Sequence, residues 1–162
     1  MIKRDDLVRH TSLNGNVDTD KFIQYILRAQ EIHIQQILGT DLYEKIQTDI
    51  ENNQLAGDYL SLVTTYIKPV LIHAAMVQYL PFAGFTIGNK GIFKHTTENG
   101  ETASKNEVDY LVEKERDIMQ FYVDRLTDFL NFHAPSKFPE YYTNNNEDVK
   151  PLYGQNYEGW VL

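Results

Sequence analysis

The sequence predicts a mainly α fold: a bundle of four to five helices, a small β-hairpin or long loop over 82–103, and an extended C-terminal arm. Three observations lead there. Apolar residues recur at helical spacing over 19–38, 40–53, 58–80 and 105–132. Capping residue types open most of these stretches, and Gly or Pro closes two of them. The sequence between them turns Gly-rich and β-prone, and the last 29 residues lose all periodicity.

The first helix opens at Asp18-Thr19-Asp20, N-capping types with acids at the positive end of the helix dipole. Phe22, Ile23, Ile26, Leu27, Ile34, Ile37 and Leu38 make one apolar stripe, and Gly39 is the expected C′ residue. Thr40 or Asp41 caps a second helix, with Leu42, Tyr43, Ile46 and Ile50 on one face. A third begins near Asp58. Pro69 kinks it or starts a new helix, and Val70 to Leu80 is apolar nearly all round, the mark of a bundle centre. Pro81 stops it. Phe85-Thr86-Ile87 and Ile92-Phe93-Lys94 flank Gly88-Asn89-Lys90-Gly91, which reads as a hairpin turn. Ser104-Lys105-Asn106-Glu107 is a capping box, and helical spacing runs behind it from Val108 through Leu111, Ile118, Met119 and Tyr122 to Leu130.

The ends read differently. Residues 1–17 are expected to form a poorly packed or partner-ordered strap, 18–133 the bundle, and 134–162 the arm. Pro135, Pro139 and Pro151 interrupt the arm, yet it carries six aromatics: Phe138, Tyr141, Tyr142, Tyr153, Tyr157 and Trp160. A disordered tail is usually aromatic-poor. These six are the candidate anchors for a partner subunit, with packing on the chain's own bundle the plainer alternative.

Composition excludes several functions. The 162 residues carry 15 Lys+Arg against 23 Asp+Glu, a formal charge of −8, which argues against tight duplex-DNA binding. With no cysteine there is no disulfide, thiolate metal site or Cys nucleophile. No apolar run approaches the roughly 20 residues that span a bilayer, so no membrane association is expected.

Chemical motifs are missing too. His10, His33, His73, His95 and His133 include no i, i+4 pair and no HExxH, so no metal is expected; His73 reads as a core histidine. The segment from Gly84 to Lys90 resembles a phosphate loop but lacks a spacer residue, puts Asn89 before the lysine, and has Gly91 in place of the hydroxyl. No catalytic or cofactor-binding residue is expected. From Glu98 to Asp128, nine carboxylates face four bases. Glycosidase-like pairing is not forced by their spacing, and the plain reading is a solvated face. The sharper reading makes Glu98, Glu101, Glu107, Glu113 and Asp117 lumen-facing acids past which a polyanion slides. Ile87, Asn89, Lys90, Ile92 and Phe93 are the expected loop contacts.

The run Ile32-His33-Ile34-Gln35-Gln36-Ile37-Leu38-Gly39-Thr40-Asp41-Leu42-Tyr43-Glu44-Lys45-Ile46 resembles the head–tail connector proteins of tailed bacteriophages. There a helix ends in a Leu-Gly turn and the next begins with an acidic-Leu-Tyr step. Tyr66 to Ala75, Leu80-Pro81 and Asn89-Lys90-Gly91 are similar to the pattern in crAss-like gut phages. The likeness covers roughly 20–133. It implies a non-enzymatic virion protein, a helical adaptor forming a homo-oligomeric ring, commonly of twelve copies, at the head–tail junction. Its partners would be the portal protein and tail or further connector rings, with genome DNA passing through unbound. The alternative from another class is a small helical protein-binding module that uses its aromatic C-terminal tail as a partner ligand.

Overall fold

The computed structural model describes residues 1–13, 19–88, 91–94, 103–143, 145 and 148–151. The fold is mainly helical, a bundle with one small hairpin. Helix α1 spans Arg4–His10. Helix α2 runs over 19–38 as Thr19–Ala29, a π-helical turn at Gln30–Ile34, and Gln35–Leu38. Helix α3 is Thr40–Glu51. Helix α4 runs Gly57–Phe82 without a break. Pro69 does not interrupt it: Lys68–Tyr79 begins just there, behind a π turn at Leu62–Ile67. Strands β1 (Phe85–Gly88) and β2 (Gly91–Lys94) pair antiparallel, Phe85 opposite Lys94 and Gly88 opposite Gly91. Helix α5 is Lys105–Lys137, and a last turn α6 is Glu140–Thr143.

Helix α4 is the centre. Val70, Leu71, Ile72, His73, Ala74, Ala75 and Met76 are buried in succession, as its all-round apolar sequence requires. At 26 residues it is long and apolar enough to match a membrane span, which corrects the expectation that no segment comes near that length. Here more than half of the apolar window lies inside the bundle. His73 meets α5, with Nδ1 2.7 Å from Glu115 Oε2 and the ring stacked on Tyr122. Tyr79 meets α2, its ring 4.6 Å from Phe22 and 5.4 Å from Tyr25. Six residues at 100° each put those two contacts about 120° apart around α4. Helices α2 and α5 therefore take separate flanks of the central helix. From α5 the core receives Met119, Val123, Leu126, Leu130 and Ala134.

Both ends differ from the sequence expectation. Residues 1–13 are not a loose strap: Leu7 is buried, and Met1, Ile2 and Leu13 pack against the core. Asp6 accepts a hydrogen bond from the Lys3 N–H at 2.8 Å and pairs with Lys68 of α4 at 3.5 Å. The bundle also continues well past 133. Helix α5 runs through Pro135 to Lys137, since a proline in the last turn leaves only the Asn131 carbonyl without its helical donor. Phe138 N–H then bonds the Ala134 carbonyl at 3.0 Å.

Candidate functional site

The described residues between Phe138 and Pro151 pack back onto the bundle, the last of them at the α2–α3 junction. Phe138 and Tyr141 are fully buried in the chain's own core, so neither is a partner anchor. Phe138 sits edge-on to Tyr59 at 5.2 Å. The Tyr59 hydroxyl donates to Glu140 Oε2 at 2.7 Å, and Lys137 pairs with Asp58 at 2.8 Å. Burial, reinforced by that carboxylate, holds the Tyr59 phenol well above its ordinary pKa. Tyr142 remains exposed beside Tyr141. Tyr153, Tyr157 and Trp160 lie outside the described residues.

Beyond α6 the chain clasps the turn between α2 and α3. Asp41 Oδ2 accepts from the Thr143 hydroxyl and the Asn145 N–H, both at 2.7 Å. The Thr40 hydroxyl donates to Asp148 Oδ2 at 2.9 Å, and Gln35 Nε2 lies 3.3 Å from the same oxygen. Thr40 N–H donates to the Val149 carbonyl at 2.9 Å, and Val149 N–H returns to Thr40 Oγ1 at 3.1 Å. Pro151 lies on Gly39, where a Cβ would fall 2.5 Å from its Cδ. With φ +74° and ψ 161°, Gly39 also holds a backbone conformation that other residues avoid. The Leu-Gly-Thr-Asp turn is thus a receptor for the end of the domain, a role its local sequence does not announce.

Helix α5 carries an unexpected second apolar face. Tyr110, Phe121 and Phe132 lie eleven residues apart and are 58%, 63% and 80% exposed. Eleven residues make about three full turns, so the three line up over about 33 Å, roughly opposite the buried Val123 and Leu130. Leu111 and Ile118, counted with the core by spacing, are exposed alongside them. Phe82, Phe85 and Ile92 are exposed near the hairpin. Of the expected loop contacts, Ile87 pairs with Ile92 and Phe93 with Thr86 through the backbone, while Asn89 and Lys90 lie outside the described residues.

The proposed lumen acids divide. Glu98 and Glu101 lie outside the described residues. Glu107 serves the helix cap: its carboxylate accepts from the Ser104 N–H and hydroxyl, both at 2.7 Å, which holds its pKa below the usual value. Glu113 and Asp117 are exposed, Asp117 lying 3.5 Å from Lys114. Glu115 turns inward to His73 instead. That bond places the His73 proton on Nδ1, toward the carboxylate. His33 is buried on α2, accepts from the Gln78 amide at 3.4 Å, and is pushed down to about 4 by burial and then by the Arg116 charge. No group of three or more metal-ligating side chains exists among the described residues.

A groove of about 550 Å³ opens between α1, α2 and the C-terminal end of α3. Its walls include Ile2, Leu7, Phe22, Ile26 and Ile50, and Ile23 and Leu27 stand half exposed at its mouth. Sequence spacing had placed both in the core stripe.

The bundle thus has its own C-terminal segment clasped to the Gly39 turn and leaves apolar side chains exposed on α5 and at the mouth of the groove. Residues 34–151 match one family model, and the chain belongs to that family, a family of unknown function (DUF6712). No curated protein and no solved structure matches it.

Proposed function

We propose that this chain is a structural virion protein, a subunit of a ring that joins the portal of a phage head to the tail. The observation that carries the reading is the second apolar face of α5. A row of five large exposed side chains along about 33 Å is more than a protein that stays alone usually leaves open. In the ring, the row of Tyr110, Phe121 and Phe132 packs against the neighbouring copy. The flanking Glu113 and Asp117 belong to the channel side, where carboxylates repel DNA and let it pass. The hairpin, with Ile92 69% exposed, reaches the next ring of the connector. The portal contact falls to residues outside the buried core, Tyr142 and the segment beyond 151. The competing reading, a binding module with an aromatic tail as ligand, loses Phe138 and Tyr141 to the chain's own core.

Mass photometry and negative-stain microscopy test it. Wild-type protein, alone over a range of concentrations, should form closed multi-copy particles. Phe121→Asp with Phe132→Asp should return it to monomer with its helical circular dichroism unchanged. A wild-type chain that stays monomeric at every concentration, or rings that survive both substitutions, would refute the proposal.

A further inference from the structure

A row of apolar side chains on one copy needs a receiving surface on the next, and the groove beside α1 has the lining and the charge for it. We propose that α5 of one copy seats Ile118 and Phe121 in the groove between α1, α2 and α3 of a second copy. This contact presupposes the ring reading above and names the surface that the α5 row meets.

Placement comes first. Among the described residues, none of α5 lines the groove. Phe121 stands roughly opposite the buried Val123 and Leu130, so it points away from its own bundle. Helices α2 and α5 take separate flanks of α4. Ridge and groove therefore cannot meet within one molecule, but they can meet between two. A contact that joins two different surfaces is head-to-tail, and repeated with the right rotation it closes a ring.

Dimensions agree. The lining residues of α2 run from Phe22 to Gln30, about 12 Å of helix. From Ile118 to Arg125, α5 covers about 11 Å. Ile118 and Phe121, at i and i+3, are both exposed, the spacing by which a helix anchors in an apolar groove. Ile23 and Leu27 stand half exposed at the mouth to receive them. At about 550 Å³ the groove is as large as clefts that bury whole ligands, ample for two side chains.

Charge sets the orientation. Around α5, Asp124 falls about 60° and Asp128 about 20° to one side of Phe121, and Arg125 about 40° to the other. All three are exposed, Arg125 lying over the Tyr66 ring at 5.1 Å. In the groove, exposed Lys3 and Arg4 stand on the α1 wall and exposed Glu51 on the α3 wall. With its acidic flank toward α1 and Arg125 toward α3, the ridge meets opposite charge on both sides. Turned end for end, it would set like against like on both.

Two variants and their mixture test this in the analytical ultracentrifuge. Phe121→Asp removes the ridge, and Ile23→Glu with Leu27→Glu spoils the groove. Each alone should be monomeric where the wild type assembles, with far-UV circular dichroism unchanged. Mixed in equal amounts they should form dimers and nothing larger, because one intact ridge and one intact groove remain between them. Should the groove variant lose helix, Lys3→Glu with Arg4→Glu leaves the apolar lining alone. It should raise the concentration needed for assembly at least tenfold, and adding Asp124→Lys with Asp128→Lys to the same chain should restore it. Rings from a folded groove variant, a mixture that stays monomeric while the wild type assembles, or charge reversal without effect would each overturn this contact and leave the ring reading standing. Wild-type filaments that need both surfaces would support the contact and refute the ring. A wild-type chain that is monomeric at every concentration would refute both.

Discussion

Gly39→Ala adds one methyl group, and the structure puts that methyl inside the pyrrolidine ring of Pro151. It would lie 2.5 Å from Cδ, 2.6 Å from Cγ and 3.2 Å from the backbone nitrogen. The Gly39 φ of +74° with ψ 161° costs an alanine about 1–3 kcal/mol before any contact is counted. To admit the methyl the strap must lift, which breaks the Thr40 N–H bond to Val149 and the return bond to Thr40 Oγ1. Each is a neutral hydrogen bond of about 1 kcal/mol net. The expected loss is therefore about 3–5 kcal/mol, a large share of the 5–15 kcal/mol typical of a domain. Urea unfolding followed by circular dichroism measures it. The same substitution in a Pro151→Ala background meets no Cδ or Cγ, so it should cost only the backbone part. A coupling of about 1–2 kcal/mol between the two sites should remain in the double-mutant cycle. Equal costs in both backgrounds, or a loss under about 1 kcal/mol for Gly39→Ala, would refute the account of the clasp.

His33 is held near 4 in the folded chain against 6.5 when unfolded, so between those values the unfolded state binds more protons. Stability should then fall by up to about 3 kcal/mol as pH drops from 6.5 to 4, and His33→Gln should flatten the curve in denaturant titrations; an unchanged slope would show that other groups set it. Phe138→Ala and Tyr141→Ala should each cost about 3–5 kcal/mol, and Tyr142→Ala under about 1 kcal/mol. Similar small effects at all three, in the same unfolding assay, would return the segment to a detached arm. Ser104→Ala removes a hydroxyl from the α5 capping box and should cost about 1 kcal/mol in thermal unfolding; no measurable shift would mean that the cap does not anchor this end.

The helical body was legible because its signals are local. The end of α2 at Gly39, the Ser104–Glu107 box and the glycines of the hairpin each act within a few residues, and each is found where its signal puts it, although Ile23 and Leu27 of the α2 stripe stand half exposed. The C-terminal segment was misread for two physical reasons. Pro135 is read as a helix breaker, but in a last turn it forfeits one bond only. Phe138 and Tyr141 keep helical i, i+3 spacing across Pro139, a period too short to stand out. The clasp itself joins Thr40 to Asp148 and Val149, and no window along the chain sees such a pair. The exposed row on α5 was readable: an eleven-residue repeat of aromatics beside a complete core stripe is surplus to one bundle. The groove was not, since it depends on where α1 docks.

The clasp also orders events in time. Thr40 and Val149 are 109 residues apart, so on a growing chain the partner of the Gly39 turn is made long after the turn itself. Closing so long a loop costs only about 2 kcal/mol more than closing one of ten residues, because the entropy grows logarithmically. The α2–α4 and α4–α5 packing can form first and hold the two ends near each other. Pro151 then seats on a glycine that has stayed open for it. A chain cut short before Asp148 would leave the Thr40 N–H without its acceptor and Gly39 bare. The turn that opens α3 thus tests whether synthesis reached the end of the domain.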